Sequence, residues 1–281
     1  VPNGSGEADP RAAPEGARAS APDDSGSASR ATVSLTRGVE WVSESYPLPQ
    51  DRGVHVSVYL VRAPGGNVLV DSGSFYHRES IREKLTRATG DEGITALLLS
   101  HSDYPHSANI GAFRESWGDF EIVASSGEPA VQGLPYARRS RIGEELEVAG
   151  RRFRFLDPPL ADRSHTSWIY DPDEEVLFAA DGFGAYHRAG EESMTSREVP
   201  GGIRPRDILD FHRDTLGWLR YVDPPRLEAT LRRLVRERPV RWVAPIHGPP
   251  IAAQDLGAYV DSLVEAVASI ASAYRVKGEA R

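Results

Sequence analysis

The stretch Thr95-Ala96-Leu97-Leu98-Leu99-Ser100-His101-Ser102-Asp103-Tyr104-Pro105-His106 passes from an apolar run straight into two histidines and an aspartate. Residues 95–100 are free of charge, the pattern of a short strand buried on both faces. The spacing beyond the loop predicts a helix over 108–116, and Pro105 stiffens the chain between the two. A loop at a strand end can project several side chains into one cleft. Histidine and aspartate within such reach are natural ligands for a borderline or hard divalent cation. Alone, the same loop also reads as an ordinary polar turn, so partners elsewhere in the chain must decide.

On the N-terminal side, residues 31–43 are rich in Val, Thr and Trp and predict a strand. Val54, Val56, Val58 and Leu60 alternate over 54–62, and Pro64-Gly65-Gly66 turns the chain into 67–71, a hairpin pattern. Ile81 and Leu85 predict a helix over 80–88. On the C-terminal side, strands are predicted over 121–125, 144–148 and 152–156. The pair 167–170 and 175–180 follows, joined by Asp171-Pro172-Asp173-Glu174. Helices over 206–221, 225–237 and 256–274 fill the last third, interrupted by a strand over 241–245. Interleaving of this kind in two halves gives an α/β or layered α+β class. Three candidate ligands sit on this frame: His165 opens 167–170, Asp181 closes 175–180 before Gly182-Phe183-Gly184, and His247 follows 241–245. Any one of them could be a hydrogen-bonded bystander. Together they place a donor at each of several strand ends.

Composition narrows the function. A chain of 281 residues with 40% apolar content holds one large domain or two small ones. A formal charge of −8 argues against a broad basic face, so no nucleic-acid partner is expected. The absence of cysteine excludes disulfides, thiolate zinc sites, iron–sulfur clusters and cysteine nucleophiles. No run of apolar residues approaches the length of a membrane span, and no apolar segment follows a basic start. No membrane partner and a cytoplasmic location are therefore expected. Residues 1–30 include twenty Ala, Gly, Ser or Pro and no Leu, Ile, Phe, Tyr or Trp, so a disordered tail is expected before a domain over 31–281. Lys84 and Lys277 are the only lysines, an arginine bias that reads as GC-rich, bacterial coding.

In this order, His101, Asp103, His106, His165, Asp181 and His247 resemble the ligand set of the metallo-β-lactamase fold, most of all the di-iron domain of flavodiiron proteins. Three stretches carry the likeness. Val68-Leu69-Val70-Asp71 resembles the strand that ends in a buried aspartate before the metal loop. Val176-Leu177-Phe178-Ala179-Ala180-Asp181-Gly182-Phe183-Gly184, after Tyr170-Asp171-Pro172, resembles the family's Leu-Phe-x-x-Asp-x-Phe-Gly segment. Ala244-Pro245-Ile246-His247-Gly248-Pro249 resembles its Ala-Pro-x-His-Gly-Pro segment. An acid rather than a histidine at 103 favours the di-iron branch over zinc hydrolases, which carry His-x-His.

The resemblance implies an αββα sandwich with two divalent metal ions, iron favoured and zinc the alternative. Carried over, His101, Asp103 and His165 hold the first ion and His106 and His247 the second, with Asp181 bridging. Asp103 and Asp181 would be the catalytic carboxylates. Asp71 is expected to accept a ring or backbone N–H near the His101 loop, or else to cap its strand. Tyr186 and His187 are expected to line the cleft, while His55, His77 and His212 receive no role. Two departures matter. The family pattern is His-x-Glu-x-Asp-His, whereas here Asp103 replaces the Glu and Pro105 stands where the second ion's Asp belongs. The second ion thus loses a carboxylate, and a mononuclear site with an open second pocket is the opposing reading. The chain also stops at Arg281 without a flavodoxin module, so electrons are expected from a separate redox partner. The implied function is a non-haem di-iron protein that binds or reduces dioxygen or nitric oxide, or uses dioxygen on an organic substrate. A di-zinc hydrolase of an ester, thioester or lactone is the rival, and a ligand-binding sensor without turnover is a third reading. A homo-oligomer stays open.

Overall fold

A computed structural model describes residues 32–124, 134 and 136–274. The tail expected over 1–30 lies outside the described residues, as does Ser125 at the end of one expected strand. The first sheet contains β1 (Val33–Ser34), β2 (Val39–Leu48), β3 (Arg52–Ala63), β4 (Gly66–Val70), β5 (Ala96–Leu99), β6 (Glu121–Ala124) and β7 (Arg138–Arg139), hydrogen-bonded in that order. The second contains β8 (Glu145–Val148), β9 (Arg151–Leu156), β10 (Trp168–Asp171) and β11 (Val176–Phe178), then β13 (Trp242–Ala244) and β14 (Ile251–Ala252). Between them in sequence, β12 (His187–Arg188) returns to pair with β3. Helices α1 (Arg78–Thr89) and α2 (Ile110–Trp117) cover the first sheet; α3 (Pro205–Thr215), α4 (Pro224–Glu237) and α5 (Ala253–Ala273) cover the second. This is an αββα sandwich.

The layering follows from side-chain alternation. In β5, Ala96 and Leu98 enter the core between the sheets, while Leu97 and Leu99 pack under α1 and α2. That two-sided burial is why residues 96–99 are all apolar. In β8 and β9, Leu146, Val148, Phe153 and Phe155 face the inter-sheet core, and Glu145 and Arg154 pair outside at 2.6 Å. Helix α4 opens on Pro224 and Pro225, whose missing N–H groups cost nothing in a first turn. It buries Leu227, Leu231 and Leu234 against the second sheet, where truncating one such leucine costs about 2–5 kcal/mol. By length and composition α5 could cross a membrane, but Leu256, Tyr259, Val260, Leu263, Val267 and Ile270 pack into the domain core. Its apolar composition is that of a core helix.

Strands β7, β12 and β14 were not expected. Each has only two residues, too short to show a period of two. The helix expected over 206–221 ends at Thr215 and gives way to a 3₁₀ turn over Gly217–Tyr221, as Gly217 weakens helix propagation.

Backbone hydrogen bonds stitch one edge of the sandwich together. Asp71 N donates to Leu98 O (2.9 Å), Ser72 N to His106 O (2.7 Å) and Ser167 N to Ser100 O (2.9 Å), the last across the two sheets. Ile246 N donates to Ala180 O (2.8 Å), Ala185 N to His247 O (3.0 Å) and Ser57 N to Ile246 O (3.0 Å). The loops after β4, β5, β11 and β13 therefore share one rim. A Cβ at Gly248 would stand 3.0 Å from Ala185 N and 3.2 Å from Gly184 Cα, so the two loops cross at glycine.

Candidate metal centre

On that rim four side chains meet. His106 Nε2 lies 3.1 Å from Asp181 Oδ1, and His247 Nε2 lies 3.4 Å from the same oxygen. His101 Nε2 is 4.0 Å from the other oxygen, Oδ2. The rings of His101 and His106 stand 3.8 Å apart, centre to centre. His101, His106 and Asp181 are buried and offer ligand atoms within 4.8 Å of one another. His101 Nε2, His106 Nε2 and Asp181 Oδ1 are buried without a hydrogen-bond partner among the described residues. Unpaired buried polar atoms of this kind cost about 1–3 kcal/mol each. Two imidazole nitrogens and a carboxylate oxygen, all unpaired and converging, fit a divalent cation.

Each imidazole is aimed by its other nitrogen. His106 Nδ1 donates to Asp71 Oδ2 (2.9 Å), and Asp71 also accepts from Ser100 N (2.8 Å) and Ser100 Oγ (2.8 Å). Asp71 therefore does more than cap its strand: it fixes both the ring and the loop. His247 Nδ1 donates to His55 O at 2.7 Å. The carbonyl of Pro245 accepts from Tyr59 Oη (2.6 Å), which anchors the His247 loop. Such outer contacts set the tautomer that leaves Nε2 free to bind a metal. The backbone around them is strained: Asp71, Ala180 and Phe183 hold φ of +58°, +46° and +59°, which non-glycine residues adopt mainly where function holds them.

Charges within this group of side chains compensate one another. Burial opposes the His106 cation, but Asp71 and Asp181 beside it outweigh this and raise its pKa to about 10. Burial would raise Asp181, yet His106 and His247 hold its carboxyl well below the usual range. Burial, with His106 alongside, lowers His101, and burial lowers His247 and His165. His106 thus carries the proton that a cation would replace.

The remaining expected residues stand at the rim of this group. Asp103 Oδ2 accepts from Arg163 Nε (2.9 Å) and Nη2 (2.6 Å), with 43% of its side chain exposed. One of its oxygens still lies within 4.8 Å of a ligand atom of His101. His165 is half-buried, its Nε2 is 3.4 Å from Ser102 Oγ and its ring centre is 6.1 Å from that of His101. Pro105 follows Tyr104 through a cis peptide bond. Tyr186 donates to Asp214 and packs on Phe211, while His187 bonds Ser45 Oγ (2.6 Å) and stacks on His55 at 4.2 Å. Those two residues are not among the four converging side chains.

Sequence reasoning missed Asp162. Its Oδ2 stands 3.6 Å from His101 Nε2, and burial followed by the charge of Asp181 pushes its pKa up to about 6. Its position three residues before His165 was the only available signal, and no periodicity marks that loop.

The sequence profile of the metallo-β-lactamase superfamily matches residues 51–247. The chain belongs to the metallo-β-lactamase superfamily. No curated protein matches it in sequence. Among solved structures, this superfamily member is similar to rubredoxin:oxygen oxidoreductase from Desulfovibrio gigas, at 19% identity and a TM-score of 0.70, covering 84% of this chain and 61% of that one. It is also similar to the flavodiiron protein from Giardia intestinalis, at 14% identity and a TM-score of 0.69, covering 85% and 59%. A fragment of a diflavin flavoprotein from Nostoc matches at 15% identity and a TM-score of 0.67, covering 86% of this chain and 97% of the fragment. The chain spans about three fifths of the first two proteins. At these identities the likeness is one of fold. The fold family is that of metal-dependent enzymes binding divalent ions.

Proposed function

We propose that this metallo-β-lactamase-fold chain is a non-haem di-iron protein that binds or reduces a small oxidant, dioxygen or nitric oxide, or uses dioxygen on an organic substrate. The observation that carries the reading is the buried, unpaired set His101 Nε2, His106 Nε2 and Asp181 Oδ1, backed by His247. In this reading His106 and His247 hold one ion and His101 the other, with Asp103 and His165 at the rim. Asp181 would serve both, since its Oδ1 lies near His106 and His247 and its Oδ2 nearer His101. Bound iron would supply the change of oxidation state and open positions for the small ligand.

The chain's own residues do the rest. Asp71 holds the His106 ring with Nδ1 protonated and Nε2 turned inward. The carbonyl of His55 does the same for His247. Burial of His101, His106 and Asp181 keeps bulk water from these donors, which strengthens every charge interaction among them. Three imidazoles to one carboxylate also suit zinc, which sustains the hydrolase reading of the same centre.

The test is metal analysis of protein made in iron-replete medium, with its optical spectrum and its consumption of dioxygen and nitric oxide after chemical reduction. Bound iron with uptake of either gas is expected. Bound zinc, no gas uptake and cleavage of a model ester would move the chain to the hydrolase reading.

A further inference from the structure

Asp162 has no part in the reading above, yet its carboxylate lies nearer His101 than Asp181 does. Its Oδ2 is 3.6 Å from His101 Nε2, against 4.0 Å for Asp181 Oδ2, and its side chain is 11% exposed. Its Oδ1 accepts from Thr166 Oγ1 at 3.0 Å. Its Oδ2 has Arg163 Nε at 3.6 Å, beyond hydrogen-bond range. One oxygen is thus held while the other faces the metal cleft, the arrangement expected of a ligating carboxylate.

Asp103 is placed differently. Both donors of the Arg163 fork rest on one of its oxygens, and 43% of its side chain is in solvent. Neighbouring residues in the chain thus divide the work: Arg163 draws Asp103 outward, and Asp162 turns in. We propose that Asp162, rather than Asp103, is the carboxylate that joins His101 and Asp181 in holding the first metal ion. The proposal rests on the metal-binding reading of the centre.

The physical argument is one of compensation. Asp162 and Asp181 converge on a single imidazole nitrogen that is itself buried and without a hydrogen-bond partner. The Asp162 and Asp181 side chains are only 11% and 7% exposed, and two such carboxylates repel unless a cation lies between them, a charge that Arg163 Nε, 3.6 Å from Asp162 Oδ2, supplies only in part. Asp103 faces no such demand, because water and Arg163 already balance its charge. A cation near His101 therefore relieves Asp162 far more than Asp103.

The experiment is a cobalt(II) titration of metal-free wild type, Asp162→Asn and Asp103→Asn, followed by calorimetry and by the visible bands of the bound ion, which report its ligands. Far-UV circular dichroism of each metal-free protein controls for folding. Asp162→Asn should lose one equivalent or bind it at least about tenfold more weakly, with shifted bands. Asp103→Asn should titrate like wild type. Should Asp162→Asn not fold, Thr166→Val releases the Asp162 oxygen and should weaken the same equivalent. A wild-type titration in Asp162→Asn, or loss of the equivalent in Asp103→Asn, overturns the assignment while leaving the metal centre standing. If wild type takes up no cobalt at all, the metal reading itself fails.

Discussion

The two ends of the His101 loop face the same cleft but are held in different ways. At the His106 end, Asp71, Ser100 and Asp181 surround the ring, every residue involved is buried, and each has a defined partner or direction. At the Asp103 end, a half-exposed aspartate pairs with a half-exposed arginine, and His165 leans on a serine hydroxyl. The first end is built into the sheets, whereas the second is carried by loops. A buried centre whose ring and loop are both held by Asp71 is preorganised, and a loop-borne rim can exchange one carboxylate for another without disturbing the fold. The contrast predicts that substitutions at the inner end will damage both stability and metal uptake, and that those at the outer end will be local.

The largest effect should come from Asp181→Ala. It removes the carboxylate shared by His101, His106 and His247, so metal affinity should fall by about two orders of magnitude or more, measured by titration and metal analysis. Retention of both ions would break the comparison at its centre. Asp71→Ala should come next. It removes the buried acceptor shared by His106 Nδ1, Ser100 N and Ser100 Oγ, so stability should fall by about 3–5 kcal/mol in denaturant titration. Metal affinity should drop about 10–100-fold with it.

How much of this was legible follows the same division. Strand ends are readable where apolar runs stop at Asp71, Ser100, Asp181 and His247, because burial forces the period and the polar residue breaks it. The αββα class and the family resemblance came from those stretches and agree with the fold and with the family match over 51–247. Asp162 was not readable. It lies in a loop without period, and its approach to His101 depends on how two sheets meet, a distance no local pattern encodes. The outward turn of Asp103 is held by Arg163 and the inward turn of Asp162 by Thr166, residues that sequence alone gives no reason to single out. The two-residue strands escaped for a simpler reason: an alternation needs more than two positions to show.

A pH experiment sharpens the inner half of the comparison. In metal-free protein His106 is raised from 6.5 to about 10. A raised pKa contributes stability fully below about 6.5, and that contribution is lost as pH rises through about 10. The melting temperature of metal-free protein should therefore decline from pH 7 to pH 10. Metal uptake must displace the same proton, so apparent affinity should rise by up to about tenfold per pH unit over that range. Calorimetry in buffers of different ionisation enthalpy should count close to one proton released. No proton release would mean that His106 is already neutral and that Asp71 and Asp181 are balanced by other means.

The smallest effect belongs to the rim. Arg163→Ala removes an exposed pair with Asp103, and such pairs contribute at most about 1 kcal/mol. Denaturation midpoints should barely move. A loss as large as that of Asp71→Ala would erase the distinction between the two ends of the loop.

The most direct measurement is an anaerobic iron(II) titration of metal-free wild-type protein, followed by diffraction at saturation. Two equivalents are predicted, the weaker one at His106, His247 and Asp181, where Pro105 supplies no carboxylate. Saturation at one equivalent, with His106 and His247 unligated, would contradict the di-metal account and leave a mononuclear centre in its place.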